Sequence, residues 1–243
     1  MSPTPRSLPP SDKLRLWIRQ SLERHENILA TSNQGTILLY QQGDDSLIIK
    51  TPMGRGLVRV IRQKTLKREF KAYRQLRGVA GIPACYGFLD SRYLLLEHIE
   101  GKAFRDAEIE NKELFFEQLL IILRNIHAKN VAHGDLKSKS NLLVTSEQKP
   151  CVIDFGTAFR FKSGFHPVNN WFFKTAKRLD LNAWVKHKYH GHYSNASPED
   201  MNLLHYSWLE ILARKISGRP MERVFGKPVF SGSSDDEDES KNS

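Results

Sequence analysis

The chain has 243 residues, 40% of them apolar and 26% charged, the balance of an ordinary globular protein long enough for two lobes around a real core. No stretch approaches the roughly 18 uninterrupted apolar residues of a membrane span, and the N-terminus "MSPTPRSLPPSDK" lacks the apolar centre of a signal peptide. Cys85 and Cys151 stand in no metal-ligand spacing, so a cytoplasmic, reducing setting is the simplest inference.

The charge of +10 is uneven. Residues 231–243, "SGSSDDEDESKNS", hold five acids and Lys241, which leaves +14 on the rest of the chain. Such a body favours anionic partners: nucleotide, phosphorylated sugar, acidic membrane or nucleic acid. The acidic tail has no apolar anchor and reads as disordered, as does the proline-rich start.

The first element expected is a helix, "SDKLRLWIRQSLERH", with Ser11 as its cap and Leu14, Trp17, Ile18 and Leu22 on one face. A basic amphipathic helix either packs on its own domain or lies on a membrane surface. Three short strands come next, "NILATS", "TILLYQQ" and "SLIIK", separated by turn signals at residues 33–35 and 43–45. "LKREFKAYRQLRG" has helical periodicity, with Leu66, Phe70 and Tyr73 on one face and Gly78 as a stop. "RYLLLEHIEG" returns to strand. From "KELFFEQLLIILRNIHAK" onward helix dominates, apart from a hairpin of "NLLV" and "CVIDF". The fold class is therefore α+β. Its expected divisions are an arm and helix (1–24), a β-rich lobe (25–99), a mostly helical lobe (100–230) and the tail (231–243).

The chemistry concentrates around that hairpin. Asp135 lies in the loop before its first strand and Asp154 at the end of its second, so Asp135, Asn141 and Asp154 converge. A carboxylate and a carboxamide suit Mg²⁺, which takes oxygen ligands and binds substrate phosphates. Asp135 is then free to orient a hydroxyl and accept its proton, and Lys137 reaches toward a transferred phosphoryl group.

These residues resemble the protein-kinase-like superfamily. "HGDLKSKSN" is similar to the catalytic loop H-R-D-L-x-x-x-N, and "DFG" at 154–156 matches the metal-binding motif. The resemblance implies ATP and Mg²⁺, with Asp135 and Lys137 catalytic and Asn141 and Asp154 as metal ligands. It also implies that Lys50, in "LIIK", holds the α- and β-phosphates and pairs with Glu69, and that backbone groups from Glu97 to Ile99 meet adenine. No G-x-G-x-x-G is present; "TSNQGT", with Gly35 alone, stands where it would be.

The loop is one residue longer than the pattern. Counting forward from Asp135 selects Ser140 as the ligand, whereas counting back from Asp154 selects Asn141; the interval before "DFG" favours Asn141. Gly134 replaces the Arg of H-R-D, no A-P-E is found downstream, and only 87 residues remain after Gly156. This compact form resembles bacterial lipopolysaccharide kinases and the related RIO kinases, with "IHAKNVAHGDLK" and "RLDLNAWVKHKY" adding to the similarity.

His133 reads as a structural residue of the loop. His187, His190 and His192 read as a solvated basic stretch rather than a metal site. Between Thr157 and Arg178, aromatic and basic residues interleave, as suits core packing, a membrane interface or single-stranded nucleic acid. The expectation is a cytoplasmic kinase, touching an anionic inner-membrane surface, that phosphorylates a lipopolysaccharide core sugar. The alternatives are a RIO-like serine/threonine kinase, whose acceptor is a protein, and a pseudokinase that binds without turnover.

Overall fold

Alternation along one strand decides the layout. The computed structural model describes residues 8–204, except 33, 34, 44, 53 and 55; the acidic tail lies outside the described residues. Strands β1 (Ile28–Ser32), β2 (Gly35–Gln42), β3 (Asp45–Thr51), β4 (Cys85–Leu89) and β5 (Tyr93–Glu97) form an antiparallel sheet in the order β1-β2-β3-β5-β4. Successive side chains of a strand point to opposite faces, so Leu47 and Ile49 of β3 face one way and Ile48 and Lys50 the other.

The first face is covered by α1 (Ser11–Arg24), whose Leu14 and Ile18 pack on Leu38, Tyr40, Leu47, Ile49 and Leu95. Trp17 meets Tyr40 edge-on at 4.9 Å between centroids, and Arg15 grips Asp90 in the β4–β5 turn at 2.7 Å. The apolar face of α1 is thus used on its own sheet, which corrects the membrane reading of this helix. Ser11 is the first helical residue and not the cap; Pro10 takes that position without a side-chain bond.

The other face receives α2 (Gly56–Gln75), through Leu66, Ala72 and Tyr73 against Leu94 and Leu96. This helix begins ten residues earlier than its periodicity suggests. Leu57, Val58, Val60 and Ile61 are exposed, so its first half lacks the one-sided apolar pattern from which a buried helix is read. Strand β4 was not expected either, because Gly87 and a bulge between Cys85 and Gly87 interrupt its alternation.

The second half is built on α3 (Lys112–Ala128). Asn111 caps it, accepting the Leu114 N–H at 3.0 Å, and Phe115, Phe116, Leu119, Ile122, Leu123 and Ile126 form its buried stripe. Strands β6 (Gly101–Ala103), β8 (Leu142–Thr145) and β9 (Pro150–Val152) make a three-stranded sheet, and β7 (Val131–Ala132) pairs with β10 (Phe159–Arg160). The predicted hairpin is therefore β8–β9, but Asn141 and Asp154 lie just outside its strands rather than in them. Helix α4 (Pro167–Lys188) packs on α3, with the indole N–H of buried Trp184 donating to the Phe116 carbonyl at 2.8 Å. The short α5 (Pro198–Met201) comes after it.

The three histidines do not form one solvated stretch. His187, on the buried side of α4, donates from Nε2 to the Leu136 carbonyl at 2.9 Å. One continuous core, running from Leu66 and Tyr73 through Phe104 and Leu119 to Leu142 and Phe155, joins α2 to the helical half. The expected α+β architecture is the one found.

Candidate active site

Lys50 lies on the α2 side of β3, and Glu69 is buried on the facing side of α2. Their side chains meet at 2.6 Å, and the same ammonium reaches Asp154 Oδ1 at 3.0 Å. Burial alone would depress Lys50, but the charges of Glu69 and Asp154 outweigh it and hold the ammonium above its usual range. Burial also works to raise Asp154, yet Lys50 keeps its carboxyl below the usual range. Glu69 is pushed up by burial against the pull of Lys50; with Lys50 held charged, the ion pair is the form this geometry describes.

Asp154 sits in the left-handed region, φ 64°, a conformation that Asp tolerates better than most residues. Its N–H donates to the Tyr73 hydroxyl at 3.3 Å. Phe155 is fully buried, edge-on to Tyr73 at 5.0 Å and to His133 at 4.9 Å. The aromatic ring thus anchors the segment in the core, so that the preceding carboxylate meets Lys50.

The loop ahead of β8 presents Asp135. The Asn141 amide donates to the Asp135 backbone carbonyl at 2.9 Å and to its Oδ2 at 3.1 Å. Asn141 is buried, and its own backbone carbonyl accepts the Ile153 N–H at 3.0 Å. Ser140 is exposed and bonded to Ser138 at 2.8 Å. The extra residue is absorbed by the 3₁₀ turn Lys139–Asn141, which turns Asn141 inward and Ser140 outward. Because Leu142 pairs with Val152, Asn141 and Asp154 flank the same open end of the hairpin.

Gly134 has φ 79°, and a Cβ there would lie 3.3 Å from the Thr157 carbonyl. An Arg at this position would be strained by its backbone, which gives the missing Arg a local cause. His133 donates from Nε2 to the Ile153 carbonyl at 2.8 Å and accepts the Asp135 N–H on Nδ1 at 3.2 Å. Its ring is a structural strut, as the sequence suggests, with the tautomer set by those partners.

Asp180 of α4 escaped the sequence reading as a site residue. It is fully buried and accepts the N–H groups of His133 at 2.8 Å and Gly134 at 2.9 Å, with His127 Nε2 at 3.0 Å. One signal was available: it is the sole acid of a basic helix and lies on the side of Phe173, Ala176 and Trp184.

The structure also places the remaining predicted residues. Ile37 pairs with Lys50, so Gly35, at the start of β2, lies two positions along on the same face. The Glu97 side chain turns to the Ala84 N–H at 2.8 Å, and its own N–H donates to the Ala84 carbonyl at 2.8 Å, leaving only its backbone carbonyl for a ligand. Ile99 is half-buried, its backbone makes no hydrogen bond to a described residue, and nearby His98 Nδ1 is buried without one. Lys137 is exposed and is tied to none of the described site residues. Burial pushes the Cys151 thiol up to about 12 and Cys85 to about 11, so neither is a thiolate nucleophile at neutral pH.

The residues fit the expected ligands. Asp135 occupies the Asn141 amide, which leaves the Asn141 oxygen, with the Asp154 carboxylate, as a hard oxygen pair suited to Mg²⁺. The buried cation at Lys50 suits phosphate, and the unpaired polar groups around His98 and Ile99 suit a heteroaromatic edge.

Comparison with known proteins identifies a kinase domain. The protein kinase domain profile matches residues 44–178. "Probable serine/threonine-protein kinase fnkB" of Dictyostelium discoideum is 26% identical over 145 residues, 56% of this chain and 26% of that protein. Serine/threonine-protein kinase KDX1 of Saccharomyces cerevisiae is 32% identical over 126 residues, 46% of this chain and 29% of its own. Casein kinase II subunit alpha' of the same yeast is 26% identical over 143 residues, 55% of this chain and 38% of its own. The chain thus spans well under half the length of these relatives.

Proposed function

Because the chain belongs to the protein kinase domain family, we propose that it is an ATP- and Mg²⁺-dependent phosphotransferase acting on a sugar hydroxyl of a lipopolysaccharide inner core. The observation that carries phosphotransfer is the partly buried bridge from Lys50 to Glu69 and Asp154, at 2.6 and 3.0 Å, beside the Asn141–Asp135 contact. Lys50, kept charged by its two carboxylates, holds the nucleotide phosphates. Asp154 and Asn141 supply the oxygens for the metal, which when bound neutralises phosphate charge. Asp135, steadied through Asn141 and its N–H bond to His133, orients the attacking hydroxyl and takes its proton. Lys137, exposed at the mouth of the loop, meets the phosphoryl group in flight. In this reading residues 25–99 hold the nucleotide and the loop-bearing half after them positions the acceptor.

The sugar acceptor is favoured by the short segment after "DFG". Protein kinases carry a phosphorylated activation loop and A-P-E there; here only ten residues, 157–166, separate Gly156 from α4. So short a segment leaves little chain with which to build a ledge for a peptide. A serine or threonine acceptor is the second reading, supported by the names of the relatives.

Incubation with labelled ATP and a crude envelope fraction tests both. Label in lipopolysaccharide core supports the sugar, and label in protein selects the second reading. Asp135→Asn should nearly abolish transfer while keeping ATP binding; Asp154→Asn should weaken Mg-dependent ATP binding as well. Equal transfer by wild type and Asp135→Asn would sink the kinase mechanism.

A further inference from the structure

We propose that the outer face of α4 and the turn before it form a docking surface for an anionic lipid bilayer. Four large apolar side chains stand in solvent here: Phe165 is 92% exposed, Val168 69%, Trp171 49% and Phe172 44%. Val168, Trp171 and Phe172 share one face of α4 by helical spacing, and Phe165 precedes them in the turn. Exposed apolar side chains clustered in this way mark an interaction surface rather than the scatter of a normal exterior.

Charge selects the partner. Lys162, Lys174 and Arg178 are exposed around these rings. From Thr157 to Lys188 the only acid is Asp180, and it is fully buried on the opposite side of the helix. Aromatic side chains ringed by Lys and Arg, with no exposed carboxylate between Thr157 and Lys188, suit the headgroup region of an anionic bilayer. A second copy is disfavoured, since two such cationic faces repel. Single-stranded nucleic acid prefers open ring faces for stacking; here Phe172 is already stacked on Phe159, 5.6 Å between centroids, with Trp171 edge-on to it. The surface is also a convex helix, suited to shallow insertion.

The same helix holds the catalytic loop. Asp180 accepts the N–H groups of His133 and Gly134, directly before Asp135. A bilayer on the outer face would therefore lie about one helix diameter, roughly 10 Å, from that loop. Docking there would fix how that loop is presented to an acceptor carried on the bilayer. This consequence rests on the phosphotransfer reading; the docking itself does not.

Co-sedimentation with vesicles of phosphatidylcholine alone, or with an equal part of phosphatidylglycerol, at low and high salt tests it. Wild type should prefer the anionic vesicles at low salt, with a smaller fraction surviving high salt. Lys162→Glu with Lys174→Glu should weaken the low-salt binding by about tenfold or more. Phe165→Ser with Val168→Ser should remove the salt-resistant fraction; these side chains are exposed, so the fold, monitored by thermal melting, should be unaffected. Leu16→Ser, at an exposed position of α1, should change nothing. Asp135→Asn should bind as wild type does, which separates docking from catalysis. Equal binding to both vesicle types at low salt, no binding at all, or sensitivity to the α1 variant instead of the α4 variants would overturn the proposal.

Discussion

Asn141 donates its amide to both the backbone carbonyl and the carboxylate of Asp135, at 2.9 and 3.1 Å. One side chain thereby steadies the Asp135 carboxylate, the proposed base, and leaves its own oxygen for the proposed metal. Asn141→Ala should raise the Mg²⁺ needed for half-maximal transfer sharply, whereas Ser140→Ala, at an exposed position bonded to Ser138, should be mild. A metal titration that gave the reverse order would move the ligand to Ser140.

The Lys50–Glu69 bridge predicts a stability asymmetry. Lys50→Met leaves Glu69 buried and close to Asp154, and breaking a buried pair from one side costs about 3–5 kcal/mol. Replacing both, Lys50→Met with Glu69→Leu, should cost clearly less, because the fully buried Glu69 carboxylate is gone and only the partly exposed Asp154 loses its cation. Urea denaturation of the two variants checks this; equal losses would show that the pair is more hydrated than its 2.6 Å contact implies.

At Gly134 the backbone rather than the side chain is at stake. With φ at 79° and a Cβ position 3.3 Å from the Thr157 carbonyl, Gly134→Ala should destabilise by about 1–2 kcal/mol. Gly134→Arg should lower both stability and activity further, although it restores the motif seen in other kinases. An increase in melting temperature for either variant would show that the loop relaxes freely.

His187 sets an acid limit. Burial depresses it from the ordinary 6.5, opposed by its bond to the Leu136 carbonyl. A lowered folded value means that the unfolded chain binds the proton first. The stabilisation is thus complete above about pH 6.5 and is lost as pH falls through the folded value. Melting temperature should therefore drop on going from pH 7 toward pH 5. His187→Gln, which can still donate to Leu136 but does not titrate, should show a shallower drop. Identical slopes would assign the acid sensitivity to other groups.

Much of this site was legible in the residues themselves, because phosphotransfer needs side-chain types in an order that survives on one line of text. Lys50, Glu69, Asp135 and Asp154 could be picked out without coordinates, and so could the alternating strands of β2 and β3, whose period of two is a local property. The choice between Ser140 and Asn141 could be framed but not closed from one end, since the bulge in the loop is a matter of backbone path. Only the fold showed that the 3₁₀ turn before β8 aims Asn141 at Asp135 and turns Ser140 to solvent. The role of Asp180 was hidden for a related reason: the N–H groups it receives come from a loop 46 and 47 residues away in the chain, and no local pattern records such a bond. The same holds for α1 and α4. The first read as amphipathic and basic and the second as interleaved aromatic and basic residues, and the sequence had no means of telling which apolar side chains would be spent on the protein's own core. Packing decided it, by placing Leu14 and Ile18 under a sheet that needed a cover and leaving Val168 and Trp171 with none.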